Sequence, residues 1–148
     1  MNKHIFSEFS KKYSCESADR VVSLESLVVS ETKLKYEFPV SYREFVLEHG
    51  AAYCPDLLDL VVERELELPD IQEFILVSEL HSTNEIYWSG GMSSEYIAFA
   101  SDSMGNMFCF KRLCADEVYY FDHEFCEIES FELSFPKLLT LYLEISNA

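Results

Sequence analysis

The feature that most restricts how this chain can fold is a change of hydrophobic rhythm along it. Between residues 73 and 125 lie four short runs: "EFILVSEL" (73–80), "EYIAFAS" (95–101), "NMFCFKR" (106–112) and "EVYYFDHEF" (117–125). They are rich in aromatic and aliphatic residues and separated by turn-forming ones, so each reads as a strand. Helical spacing flanks them on both sides. In "ADRVVSLESLVVSE" (18–31), Val21, Leu24, Leu27 and Val28 fall on one stripe and Ser17 can cap the first turn. Pro39 opens "PVSYREFVLEHG", where Tyr42, Phe45 and Val46 share a face and Gly50 stops the helix. "SFPKLLTLYLEI" (134–145) begins at Ser134, and its nearly all-round apolarity predicts burial against a sheet. Helices at both ends of a run of strands define an α+β fold with a largely antiparallel sheet.

The four glycines and four prolines fall where periodic segments begin or end, and no repeat or flexible linker interrupts the pattern, so residues 1–148 read as one domain. No run of apolar residues is long enough to span a bilayer, and "MNKHIFSEFSKKYSCES" lacks the continuous hydrophobic stretch of a secretory signal. A cytoplasmic protein is the expectation. The cysteines at 15, 54, 109, 114 and 126 form no paired short spacing, which predicts reduced, mostly buried thiols and no zinc site.

Motifs for chemistry are sparse. In "SDSMGNMFCF" (101–110) strand signals stand on both sides of an Asp, a Gly and an Asn. Residues 102–106 therefore read as a hairpin loop, with Gly105 at positive φ and Asp102 bonding back to loop amides. Neither the GxxxxGK[ST] of a phosphate loop nor the aspartate ladder of a calcium loop is present. "DHEFCE" (122–127) begins like a zincin motif, but Glu127 stands where the second histidine would be. As a strand it would align Tyr119, Phe121, His123 and Phe125 on one face, making His123 a hydrogen-bonded core residue, with Tyr120, Asp122 and Glu124 on the other. His49 and Cys54 are close in sequence but lie across a helix stop, without an orienting acid. No catalytic, metal-binding or cofactor-binding residues emerge, and no cofactor is expected.

Charge is more informative. Of a net −16, residues 1–49 hold 8 acids against 7 bases, whereas residues 50–148 hold 19 acids against 4 bases. Such a field repels nucleic acid and anionic membranes and attracts a basic partner. In "LLDLVVERELELPD" (57–70), Glu63, Glu65 and Glu67 share a side if the segment is a strand, and Asp59, Glu63 and Glu67 align if it is a helix. A merely solvated acidic face is the plainer alternative.

Taken in order, "FPVSYREFVLEHG" (38–50), "YIAFASDSMGNMFCF" (96–110), "VYYFDHE" (118–124) and "SFPKLL" (134–139) resemble the SUKH superfamily. That superfamily includes the fungal Smi/Knr cell-wall regulators and many bacterial immunity proteins. Phe38, His49 and Pro136 depart from its usual pattern. The resemblance implies a sheet of about five to six strands packed against N-terminal helices and a C-terminal helix. It also implies a non-enzymatic protein that neutralises a toxin, often a nuclease, or, alternatively, a regulatory scaffold. With the charge, the expected partner is a basic protein toxin domain, and Glu63, Glu65, Glu67, Tyr120, Asp122 and Glu124 are the expected contact residues. The oligomeric state is left open.

Overall fold

The computed structural model describes residues 2–146, within which the chain forms six α-helices, two single 3₁₀ turns and five strands. The strands are β1 (Glu73–Phe74), β2 (Tyr96–Ser101), β3 (Met107–Lys111), β4 (Glu117–Asp122) and β5 (Glu127–Ser134). Each pairs antiparallel with the next, giving a meander in the order β1-β2-β3-β4-β5. The α+β expectation holds.

The middle strand is buried on both faces: Met107, Phe108, Cys109 and Phe110 are all inaccessible or nearly so. One face meets α1 (Lys3–Tyr13), α3 (Val40–His49) and α6 (Phe135–Ser146) through an aromatic core. Its hub is Phe135, whose ring lies within 6.1 Å, centroid to centroid, of Phe6, Tyr42, Phe45, Phe74, Phe99 and Phe110. Most of these pairs meet edge to face, the arrangement favoured by the ring quadrupoles. The other face meets α5 (Leu80–Ser89), where buried Asn84 donates to the Ala98 carbonyl (3.0 Å) and accepts from the Ala98 amide (2.7 Å). Those bonds satisfy backbone groups where the β2–β3 register slips between Ala98 and Ala100.

The N-terminal segment folds as α1, a helix legible only in the spacing of Phe6, Phe9 and Tyr13, its three buried residues. Several expectations are corrected. Residues 18–20 are a 3₁₀ turn, and α2 (Leu24–Leu34) starts after Ser23, not Ser17, in a reciprocal cap with Ser26. Of the stripe read from 18–31, Leu27 alone is buried, while Val21, Leu24 and Val28 are 77%, 56% and 45% exposed. The inward face is Leu27, Ser30, Glu31 and Leu34. Apolarity pointed the wrong way because the buried polar groups are all partnered: Ser30 donates to the Val77 carbonyl. Glu31 accepts from the Phe38 amide (2.8 Å) and lies 3.3 Å from the Arg43 guanidinium.

The run 73–80 is a strand for two residues only; it then turns through Val77–Glu79 into α5. Buried Val77 and Leu80 are three apart, which a turn of helix satisfies and strand alternation does not. The run 117–125 leaves the sheet after Asp122, so the proposed row of Tyr119, Phe121, His123 and Phe125 breaks: His123 and Phe125 are exposed. Three of the five thiols, Cys15, Cys114 and Cys126, are exposed as well, and Cys54 and Cys109 alone are buried.

Candidate interaction surface

In a meander the loops after β2 and β4 emerge at the same end of the sheet. Here they are the 102–106 hairpin loop and the 123–126 turn. Asp102, almost fully buried, organises the first. Its Oδ1 accepts from the amides of Met104 (2.8 Å) and Asn106 (2.9 Å), and its Oδ2 accepts from the Tyr120 hydroxyl. Gly105 has φ +85°, as expected of the turn. A Cβ there would lie 3.3 Å from the His123 ring, and the Gly105 carbonyl accepts from the Tyr87 hydroxyl at 2.8 Å.

Asn106 links the two loops. Its Oδ1 accepts from the His123 amide at 3.0 Å and lies 2.6 Å from His123 Nδ1, while its Nδ2 donates to the Tyr120 hydroxyl at 2.8 Å. Asp122 holds the second loop, its Oδ1 accepting from the amides of Glu124 (2.9 Å) and Phe125 (3.4 Å). Burial, and then the bond to Asp102, keep the Tyr120 hydroxyl protonated well above the usual phenolic range. It is therefore a fixed donor to a carboxylate.

The acidic segment reaches the same end by another route. Residues 57–63 form α4 (Leu57–Glu63), and the chain then turns, with Glu65 at φ +50°. Neither uninterrupted periodicity expected of residues 57–70 applies, because the helix stops at Glu63. Asp70, at the end of this segment, accepts from the Ser103 hydroxyl (2.9 Å) in the hairpin loop. Next to it, the Pro69 carbonyl accepts from Tyr142 near the end of α6, and Arg64 donates to the Ile145 carbonyl.

The six expected contact residues thus separate into two roles. Glu63, Glu65, Glu67 and Glu124 are exposed, whereas Tyr120 and Asp122 are half-buried and hold loops in place. Two residues that sequence reasoning did not single out project from the loops: Met104, 69% exposed, and Phe125, 70% exposed. The signal for Met104 was present, an apolar residue at the tip of a recognised turn. Phe125 was hidden by its resemblance to a strand residue. Exposed apolar tips on braced loops, with carboxylates nearby, give a surface able to seat an apolar contact and attract cations around it.

Elsewhere an open cleft of about 490 Å³ lies between the end of α1 and the end of α3, lined in part by Cys15, Arg20 and His49. Cys54 is not part of its lining; buried, its thiol is pushed up to about 12, away from the thiolate form. Among the described residues no three His, Cys, Asp or Glu side chains are grouped as a metal ion would require. No helix among them is long and apolar enough to cross a membrane.

A sequence model described as the SMI1 / KNR4 family (SUKH-1) matches residues 22–140, from the approach to α2 to the middle of α6. No curated protein matches the chain.

Proposed function

Because this chain belongs to the SMI1 / KNR4 family (SUKH-1), we propose that it is a binding protein that neutralises a basic protein toxin without performing chemistry itself. The observation that carries this reading is the braced loop end, where Met104 and Phe125 stand exposed on loops held by Asp102, Asn106, Tyr120 and His123. Rigid apolar tips lose little entropy on binding, so their burial contributes to affinity. The 15-charge excess of acids over bases in residues 50–148 raises the encounter rate with a positively charged partner. Glu63, Glu65, Glu67 and Glu124 contribute to that attraction, while Tyr120 and Asp122 act by fixing the loops.

The experiment is co-expression with the product of the neighbouring gene, read as growth. Rescue by the native chain, lost when Met104 and Phe125 are both changed to Ser, supports the reading. Rescue untouched by that change moves the interface elsewhere, and a non-toxic neighbour favours a regulatory scaffold such as the family's fungal members. With the partner in hand, raising salt is expected to slow association far more than it speeds dissociation.

A further inference from the structure

The two edges of the sheet are unlike. At β1 the chain covers its own edge: Tyr53 forms a bridge with Glu73, the Phe74 amide donates to the Ala52 carbonyl (2.7 Å), and the Cys54 amide donates to the Gln72 carbonyl (2.7 Å). At β5 no such cover exists among the described residues. Its first half pairs regularly with β4, as Asp122↔Glu127, Phe121↔Ile128, Tyr120↔Glu129 and Tyr119↔Ser130. The register then slips, Glu132 takes φ +57°, and pairing is next found at Glu117↔Ser134. A regular stretch of edge therefore runs from the loop end to a bulge.

An open strand edge presents unpaired amides and carbonyls to any extended chain, and proteins blunt such edges with charge and bulges. Here both devices are present and the charge has one sign. Glu127, Glu129 and Glu132 are exposed, and residues 113–136 hold seven acids and neither Lys nor Arg. Pairing β5 with β5 of a second copy would oppose glutamates to glutamates, which is unfavourable. The same row would meet Lys or Arg side chains favourably. The edge also begins two residues beyond Phe125, continuous with the loop end.

We propose that the Glu127–Ser130 edge accepts, as an added strand, an extended Lys- or Arg-rich segment of the partner protein. Main-chain hydrogen bonds to β5 hold the segment, and its basic side chains pair with Glu127 and Glu129. The bulge at Glu132 ends the pairing. The proposal rests on the reading of the loop end as the partner-binding end, and it adds the way the partner is held.

The probe is a capped synthetic peptide of alternating Lys and Val, about eight residues long to match an ordinary strand. Amide hydrogen exchange of the full chain is followed with and without it. The expected result is new protection within residues 127–130 and none at 131–134, lost when alternate peptide amides are N-methylated. Changing Glu127 and Glu129 together to Gln should weaken binding about tenfold at low salt. Protection confined to loops 102–106 and 123–126 would overturn the added strand while leaving the loop-end surface standing. Equal binding by the N-methylated peptide, or no protection at β5 at saturation, would overturn it too. The reading of the loop end itself is decided separately, by the growth assay with Met104 and Phe125 changed.

Discussion

At β1 the sheet is closed by its own chain, through the Phe74 amide on the Ala52 carbonyl and the Cys54 amide on the Gln72 carbonyl, whereas at β5 it stops at a row of glutamates facing solvent. The difference lies in what each edge has to bind. Beside β1, Arg20 donates to the carbonyls of Ala51 (3.1 Å), Ala52 (3.3 Å) and Phe74 (3.1 Å) and lies over the Tyr53 ring at 5.2 Å. Gly50 permits this closure: at φ +80°, a Cβ would lie 2.5 Å from the Arg20 carbonyl oxygen. Among the described residues no comparable clasp spans β5, whose own charged side chains, Glu127, Glu129 and Glu132, are all negative. An edge meant for the interior is built from shared carbonyls, and one left for solvent or a partner is built from like charge.

The largest effect is expected of Gly50→Ala. It should cost about 3 kcal/mol or more in urea unfolding, because the new methyl group meets backbone and the φ is unfavourable for alanine. A neutral result would show that the β1 edge does not depend on that close approach. Arg20→Met keeps the stem and removes the donors; losing the bonds to the Ala51 and Phe74 carbonyls, while the Ala52 carbonyl keeps the Phe74 amide, should cost about 2–3 kcal/mol. Tyr120→Phe tests the loop end that adjoins β5. Losing the hydroxyl bond to buried Asp102 should cost about 1–2 kcal/mol and speed amide exchange at Met104 and Asn106.

Alkali should act on the β1 side through Cys54, whose thiol titrates near 9 when free and is raised to about 12 here by burial. The unfolded chain loses that proton first. Its contribution to stability is therefore whole below pH 9 and declines as pH rises from 9 towards 12. Comparing Cys54→Ala with the native chain, the variant should lose about 1 kcal/mol less on going from pH 8 to 10. The smallest effect is expected at the open edge. Changing Glu127 and Glu129 to Gln should alter stability by no more than about 0.5 kcal/mol, while light scattering shows more self-association because the repulsion that guards the edge is gone. A large loss of stability there would mean that β5 carries structural weight of its own.

Much of the sheet was legible because its turns carry their own chemistry. The 102–106 loop could be read from Asp102 and Gly105 alone, since an aspartate can bond loop amides two and four residues on without help from elsewhere. The burial of α6 followed from the density of its apolar residues. The face of α2 could not be read, because Ser30 and Glu31 are buried only by virtue of Val77, Phe38 and Arg43, residues outside the helix. Strand β5 was missed for a related reason: "EIESFELS" carries three glutamates and two serines among its eight residues, and only pairing with β4 makes it a strand. At the candidate surface the acids were visible one by one, but Tyr120, expected among the contact residues, turns its hydroxyl inward to Asp102.

By itself the sequence determined the fold class, the positions of the main turns and the sign of the field, since these depend on residue type and short-range spacing. Tertiary structure decided which polar groups could be buried, which loops share an end and which edge stays open. Those outcomes depend on partners far away along the chain, and a buried carboxylate is tolerable only once its donors have been brought to it.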